Sequence, residues 1–263
     1  FSAEESGADI VIQSFHKVFP VFSQGSVLHV FSDKIDIEKL REVLSFLHTT
    51  SPFYPNIAVM DWVRDYFEKR GKLLVEKLFE VGKYAIKRLS EVQDIKVFSP
   101  EILPEGYKFD YSKITFDVSN TGYTGYEFDR ILLKNGISVD CSGYTNIIAP
   151  LGFGSEKKDI DYLVKVLKKV KRRKKKIKFY LWLPDFSPEM AILPYEAIFK
   201  YRRKRIHISN STGMISGELL SPYPPGIPVL TPGERITKDV CNYLKDLLKR
   251  KIISNRFIKV IEF

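Results

Sequence analysis

The sequence predicts an α/β fold. Two runs rich in β-branched residues, "ADIVIQS" and "GSVLHVF", are bounded by Gly7, Pro20 and Gly25 and carry the strand signal. Beyond them, segments of helical periodicity alternate with short strand-like runs to the C-terminus. A chain of 263 residues, 44% hydrophobic and 28% charged, can bury the core of one large or two modest domains.

Taken in order, the pattern places strands near 9–14 and 25–31, then helices near 36–47 and 56–92, the second opening with Pro55 in its first turn. The turn-rich "DIKVFSPEILPEGYKFDYSK" separates these from a stretch of shorter elements. There a strand is expected near 113–118, a helix near 125–134, a strand near 137–141, a helix near 157–172 and a strand near 178–183. A helix near 238–250, capped by Thr237, and the apolar "RFIKVIEF" complete the chain. The domain boundary is expected at 93–112, giving domains of residues 1–92 and 93–263.

The run "IVIQSFHKVFPVFSQGSVLHV" (10–30) places His16 and Lys17 among apolar neighbours. A membrane span would need about 20 nearly uncharged residues, and His16, Lys17, Pro20, Gln24 and His29 rule that out. Two readings of Lys17 remain: a strand-end lysine reaching solvent, or an amine that apolar walls keep neutral and nucleophilic toward a carbonyl. Alternation along the strand would set Ser14 and His16 on one face beside it, a hydroxyl and an imidazole suited to an anion.

Charge and cysteine content narrow the classes further. Ten basic residues and no acidic one lie in "KVLKKVKRRKKKIK" (165–178), which accounts for the whole formal net charge of +10. Leu163, Val166, Leu167 and Val170 recur at helical spacing, so the run reads as the solvated face of an amphipathic helix entering a loop. Nucleic-acid binding is the disfavoured alternative, because no aromatic residue interrupts the run for base stacking. Cys141 and Cys241 suggest neither a disulfide framework nor a metal site, and the default compartment is a reducing cytoplasm.

Four stretches together resemble a known family. "GADIVIQSFHKVFPVFSQGSVLHV" (7–30), "LHTTSPFY" (47–54), "TGYTGYEFDRILLKNGISVD" (121–140) and "ISGELLSPYPPGIPVLTPGERIT" (215–237) are similar, in this order, to segments of the Orn/Lys/Arg decarboxylases. The "PYPPGIP" and "PGE" run is the most specific of them. Phe15 departs from the family's small residue before the histidine.

The resemblance implies the C-terminal part of a fold type I (aspartate-aminotransferase-like) cofactor domain, followed by a smaller α+β domain. It implies pyridoxal 5'-phosphate as cofactor, linked covalently to Lys17, with Ser14 and His16 contacting its phosphate or ring. Thr49, Thr50 and Ser51 match a turn that reaches the phosphate of a neighbouring subunit, so a homodimer or higher oligomer is expected. Glu218 and Tyr223 are candidates for the distal cationic end of the substrate. The implied reaction is decarboxylation of a basic amino acid in polyamine biosynthesis, with arginine (to agmatine) favoured over lysine or ornithine. In the family an upstream "DEAHG" segment supplies the aspartate that holds the pyridine nitrogen. This sequence begins at Phe1 without that segment, so a fragment, or a subunit completed by a second polypeptide, is expected. A noncatalytic or degenerate subunit is the alternative. No membrane partner and no metal are implied.

Overall fold

The computed structural model describes residues 3–174, 177, 188–222, 226–250 and 252–263. The chain is mixed α/β, as the sequence predicts, and divides into two compact units: residues up to Lys83 with Leu151–Lys157, and Tyr84–Pro150 with Lys158–Phe263.

The first unit opens with β1 (Ile10–Gln13), a 3-10 turn at Phe15–Lys17 and β2 (Val27–Val30). The strands pair antiparallel, with Ile10 opposite Val30 and Gln13 opposite Val27. Helix α1 (Ile37–Leu47) starts where the Asp36 carboxylate accepts the Lys39 N–H at 3.0 Å, satisfying one of the donors that a helix start leaves unpaired. Helix α2 (Tyr54–Ser90) carries Pro55 in its first turn, where a missing N–H costs nothing. Its buried residues include Val63, Leu78 and Val81, whereas α1 buries none.

The second unit is built around a four-stranded antiparallel sheet. Strands β3 (Lys96–Val97) and β4 (Lys113–Asp117) pair, helix α3 (Gly125–Lys134) follows, and β5 (Cys141–Ser142) and β6 (Asn146–Pro150) complete the order β3-β4-β6-β5. Helix α3 begins with a reciprocal capping box: the Glu127 N–H donates to Thr124 Oγ1 at 3.2 Å and the Thr124 N–H to Glu127 Oε2 at 2.9 Å. The strand expected at 137–141 is confined to Cys141–Ser142. The Ile137 N–H instead donates to the Leu132 carbonyl at 3.0 Å, keeping that segment as the wrap-up of α3.

Helix α4 (Lys157–Lys169) buries Ile160, Leu163, Val164 and Leu167, which bears out an amphipathic helix at the start of the basic run. Its Asp161 carboxylate accepts from Tyr84 Oη at 2.8 Å and Arg88 Nε at 3.0 Å, tying α4 to the last turns of α2. Two basic residues of the run are also spent on structure. Arg172 donates to the Leu167, Val170 and Gln93 carbonyls, and Arg173 pairs with Glu127 at 2.9 Å while stacking 3.8 Å above the Tyr123 ring. The strand expected at 178–183 lies outside the described residues.

Helix α5 (Pro194–Phe199), strand β7 (Arg202–His207), helix α6 (Lys238–Lys249) and strand β8 (Phe257–Glu262) form the rest. Thr237 caps α6 by accepting the Val240 N–H at 3.2 Å. A core of Ile208, Leu230, Ile236, Val240, Leu244 and Ile258 joins α6 to β8.

Candidate functional site

In the two landmarks nearest the C-terminus, the described glycines Gly125 and Gly233 are explained by packing within this chain. At Gly125 a Cβ would lie 2.3 Å from the Gly143 carbonyl oxygen and 2.6 Å from that of Asn146, so "TGYTGYEF" needs glycine where α3 meets the β5–β6 turn. In "PGE", Gly233 has φ +90° and a Cβ there would lie 2.0 Å from the Ile192 carbonyl oxygen. The next residue, Glu234, accepts from the Thr231 N–H and hydroxyl, closing the turn on itself.

The first landmark is different, because its polar groups are presented rather than consumed. Strand β1 ends at Gln13, and the Lys17 N–H donates to the Ser14 carbonyl at 3.0 Å to close the 3-10 turn. This corrects the expectation that alternation along a strand aligns Ser14 with His16. Ser14, with φ −73° and ψ 89°, precedes the turn, whereas His16 and Lys17 lie within it. Lys17 and Ser14 are exposed, and the Ser14 hydroxyl does not cap the turn. The apolar side chains expected to wall Lys17 point elsewhere. Phe15 stacks on Phe19 with ring centroids 4.3 Å apart, and Phe19 packs edge-on against Phe67 at 4.8 Å. Phe67 in turn meets Phe153 at 4.7 Å. Phe15 therefore anchors the turn in an aromatic cluster with α2.

His16 is turned onto Gly25. Its backbone N–H and its Nδ1 both lie on the Gly25 carbonyl oxygen, at 3.2 and 2.8 Å. A carbonyl can only accept, so Nδ1 carries the proton and Nε2 is the nitrogen left to meet a ligand. Gly25 is buried; a Cβ there would sit 3.2 Å from both Met60 Sδ and Val21 Cγ2. Gln24, just before it, takes the left-handed φ of +75°. The other histidine of this stretch, His29, contacts Gln13 Oε1 at 3.2 Å across the hairpin and stacks on Phe31.

Thr49, Thr50 and Ser51 form a separate exposed turn between α1 and α2, where the Ser51 N–H donates to Thr49 Oγ1 at 3.2 Å. Glu218 lies in the second unit. Its carboxylate accepts the Lys259 backbone N–H at 2.9 Å and faces Lys259 Nζ at 3.9 Å. Tyr223 falls outside the described residues. Sequence reasoning missed Asn56, whose Nδ2 donates to the Ser23 carbonyl at 3.4 Å, and read Gly25 only as a strand boundary, not as the acceptor for His16. Among the described residues no group of three His, Cys, Asp or Glu side chains could hold a metal ion, and no helix is long and apolar enough to cross a membrane.

Comparison with known proteins places these features in a wider set. The model of the Orn/Lys/Arg decarboxylase major domain matches residues 2–159, and that of the Orn/Lys/Arg decarboxylase C-terminal domain matches residues 178–253. The chain is 29% identical over 251 residues to an arginine decarboxylase of Bacillus subtilis, covering 92% of this chain and 51% of that protein. It is 27% identical over 256 residues to an arginine decarboxylase of Bacillus anthracis, covering 94% and 52%. The structure of the Escherichia coli constitutive lysine decarboxylase superposes with a TM-score of 0.78 at 20% identity, covering 96% of this chain and 49% of that one. The chain thus spans about half the length of the relatives it matches.

Proposed function

The chain belongs to the Orn/Lys/Arg decarboxylase family, and from that premise we propose that it carries the cofactor-linking part of a pyridoxal-phosphate-dependent decarboxylase acting on a basic amino acid. The observation that carries this reading is the 3-10 turn, anchored through Phe15 and Phe19, that follows Ser14 and contains His16 and the exposed Lys17.

The donor chemistry fits the cofactor: an exposed primary amine for its aldehyde, and a hydroxyl and an imidazole for its phosphate or ring. Bound there, pyridoxal 5'-phosphate would supply the electron sink for loss of the α-carboxylate. Lys17 would hold the cofactor through its amine, and that amine could carry a proton. His16, held at Nδ1 by the Gly25 carbonyl, would have Nε2 left to contact the cofactor's phosphate or ring. Thr49, Thr50 and Ser51 contribute donors to the phosphate of a neighbouring subunit, so the working site is shared in a dimer. The protein's contribution to the choice of reaction would be the orientation in which its residues hold the substrate.

Arginine is the favoured substrate, supported by the names of the two Bacillus relatives, with agmatine as product; lysine and ornithine are the competing substrates. The test is release of labelled carbon dioxide from each of the three amino acids, by the chain alone and together with the N-terminal half of an arginine decarboxylase relative. Release from arginine by the combined protein supports the reading, and no release from any of the three overturns it.

A further inference from the structure

The segment that follows Lys17 is held by one residue whose presence stability alone does not explain. Asn56, in the first turn of α2, is 6% exposed. Its Nδ2 donates to the Ser23 carbonyl at a long 3.4 Å, and its Oδ1 is buried with no hydrogen-bond partner among the described residues. A buried amide with one end unpaired is less favourable than an apolar side chain of the same size. The residues on either side of the contact show what the amide does. Ser23 is followed by Gln24 at φ +75°, a conformation that a non-glycine residue keeps only when its surroundings impose it. Gln24 is followed by Gly25, whose carbonyl takes both N–H groups of His16. One turn along α2 from Asn56, the Met60 thioether closes over Gly25, where a Cβ would lie 3.2 Å from its sulfur.

We propose that Asn56 is a positioning residue for the Ser14–Lys17 turn. It holds the carbonyl of Ser23, which keeps Gln24 left-handed, which aims the Gly25 carbonyl at His16. Its effect on Lys17 is transmitted through the loop and involves no contact with the ligand. The inference rests on the proposed cofactor role of Lys17 for its consequence in catalysis, but the positioning itself is a property of this chain.

Two variants test it in the full chain. Asn56→Leu removes the donor and the unpaired oxygen together, and Asn56→Asp keeps the shape but cannot donate when ionised. Hydrogen exchange read on peptides covering residues 13–27 should quicken by roughly three- to tenfold in both, the range one hydrogen bond supports. Exchange elsewhere should be unchanged, and the melting temperature of Asn56→Leu should be equal to or above that of the parent. Incubated with pyridoxal 5'-phosphate and borohydride, both should take up label at Lys17 more slowly than the parent. If the parent takes no label, the cofactor assignment fails while the exchange data still decide the positioning role. Parental exchange over 13–27 in both variants, or a rise spread evenly over the chain, would overturn the proposal.

Discussion

The Gly25 carbonyl accepts both the backbone N–H and the Nδ1–H of His16, at 3.2 and 2.8 Å. One oxygen thus fixes the position of the turn, the orientation of the imidazole and its tautomer, all next to Lys17. Gly25 is tightly enclosed: a Cβ there would lie 3.2 Å from both Met60 Sδ and Val21 Cγ2, so those side chains would have to give by a few tenths of an ångström.

Gly25→Val should therefore lower stability by about 1–3 kcal/mol through overpacking, measured by chemical denaturation. Gly25→Ala should cost less, since the Met60 thioether is the flexible end of its side chain and can yield a few tenths of an ångström. Both should speed exchange of the His16 amide.

Thr50→Ala should weaken retention of pyridoxal 5'-phosphate by about tenfold or more, the loss of one hydrogen bond to a charged group, without changing the melting temperature. The measurement is equilibrium dialysis of the assembled protein. Parental affinity in an intact oligomer would return residues 49–51 to a turn role.

The second unit carries an acid-sensitive tie. Hydrogen bonds from Tyr84, then Arg88, hold the Asp161 carboxyl below its usual range, and the same contact with Asp161 raises the Tyr84 hydroxyl. A depressed carboxylate stabilises the fold fully above its unfolded pKa, about 3.9. That stabilisation is lost as the pH falls through the lower folded value. Asp161→Asn should lower stability at neutral pH and flatten the loss below about pH 4. A parallel acid profile in the variant would contradict this.

Unit one exposes large apolar side chains: Ile12 is 73% exposed, Trp62 63%, Leu47 76% and Phe46 87%. The chain alone should bind an apolar fluorescent dye while remaining cooperatively folded. Phe46→Ser should reduce that signal without lowering the melting temperature. An unchanged signal would place the dye elsewhere.

Much of this was legible in the sequence because the signals were local. The helical periodicity near 125–134 corresponds to α3, whose Thr124–Glu127 capping box the structure adds, and Thr237 marked the start of α6. Strand β7 was not legible. Its "RRKRIH" carries four basic residues and becomes a strand only through pairing with β8 more than 50 residues later, Arg202 opposite Glu262 and Ile206 opposite Ile258. Strand β6 was missed for a related reason: "NIIAP" is short and ends in proline, and it sits between β4 and β5 by tertiary pairing. At the site, the residue types at 14, 16 and 17 were read from the sequence. Their relative orientation was not, because alternation assumes a continuing strand and the Ser14–Lys17 bond bends the chain into a turn. Asn56 was invisible, since its role depends on a loop more than 30 residues before it.

In the proposed reaction Lys17 is the residue that holds the cofactor. The most direct measurement is borohydride reduction of the assembled protein in the presence of pyridoxal 5'-phosphate, followed by peptide mass spectrometry, with Lys17→Ala as the control. A pyridoxyl label is expected on the peptide containing Lys17, stoichiometric with chain, with loss of both label and carbon dioxide release in Lys17→Ala. Label spread over other exposed lysines with Lys17 unmodified, or turnover near the parental rate in Lys17→Ala, would contradict it.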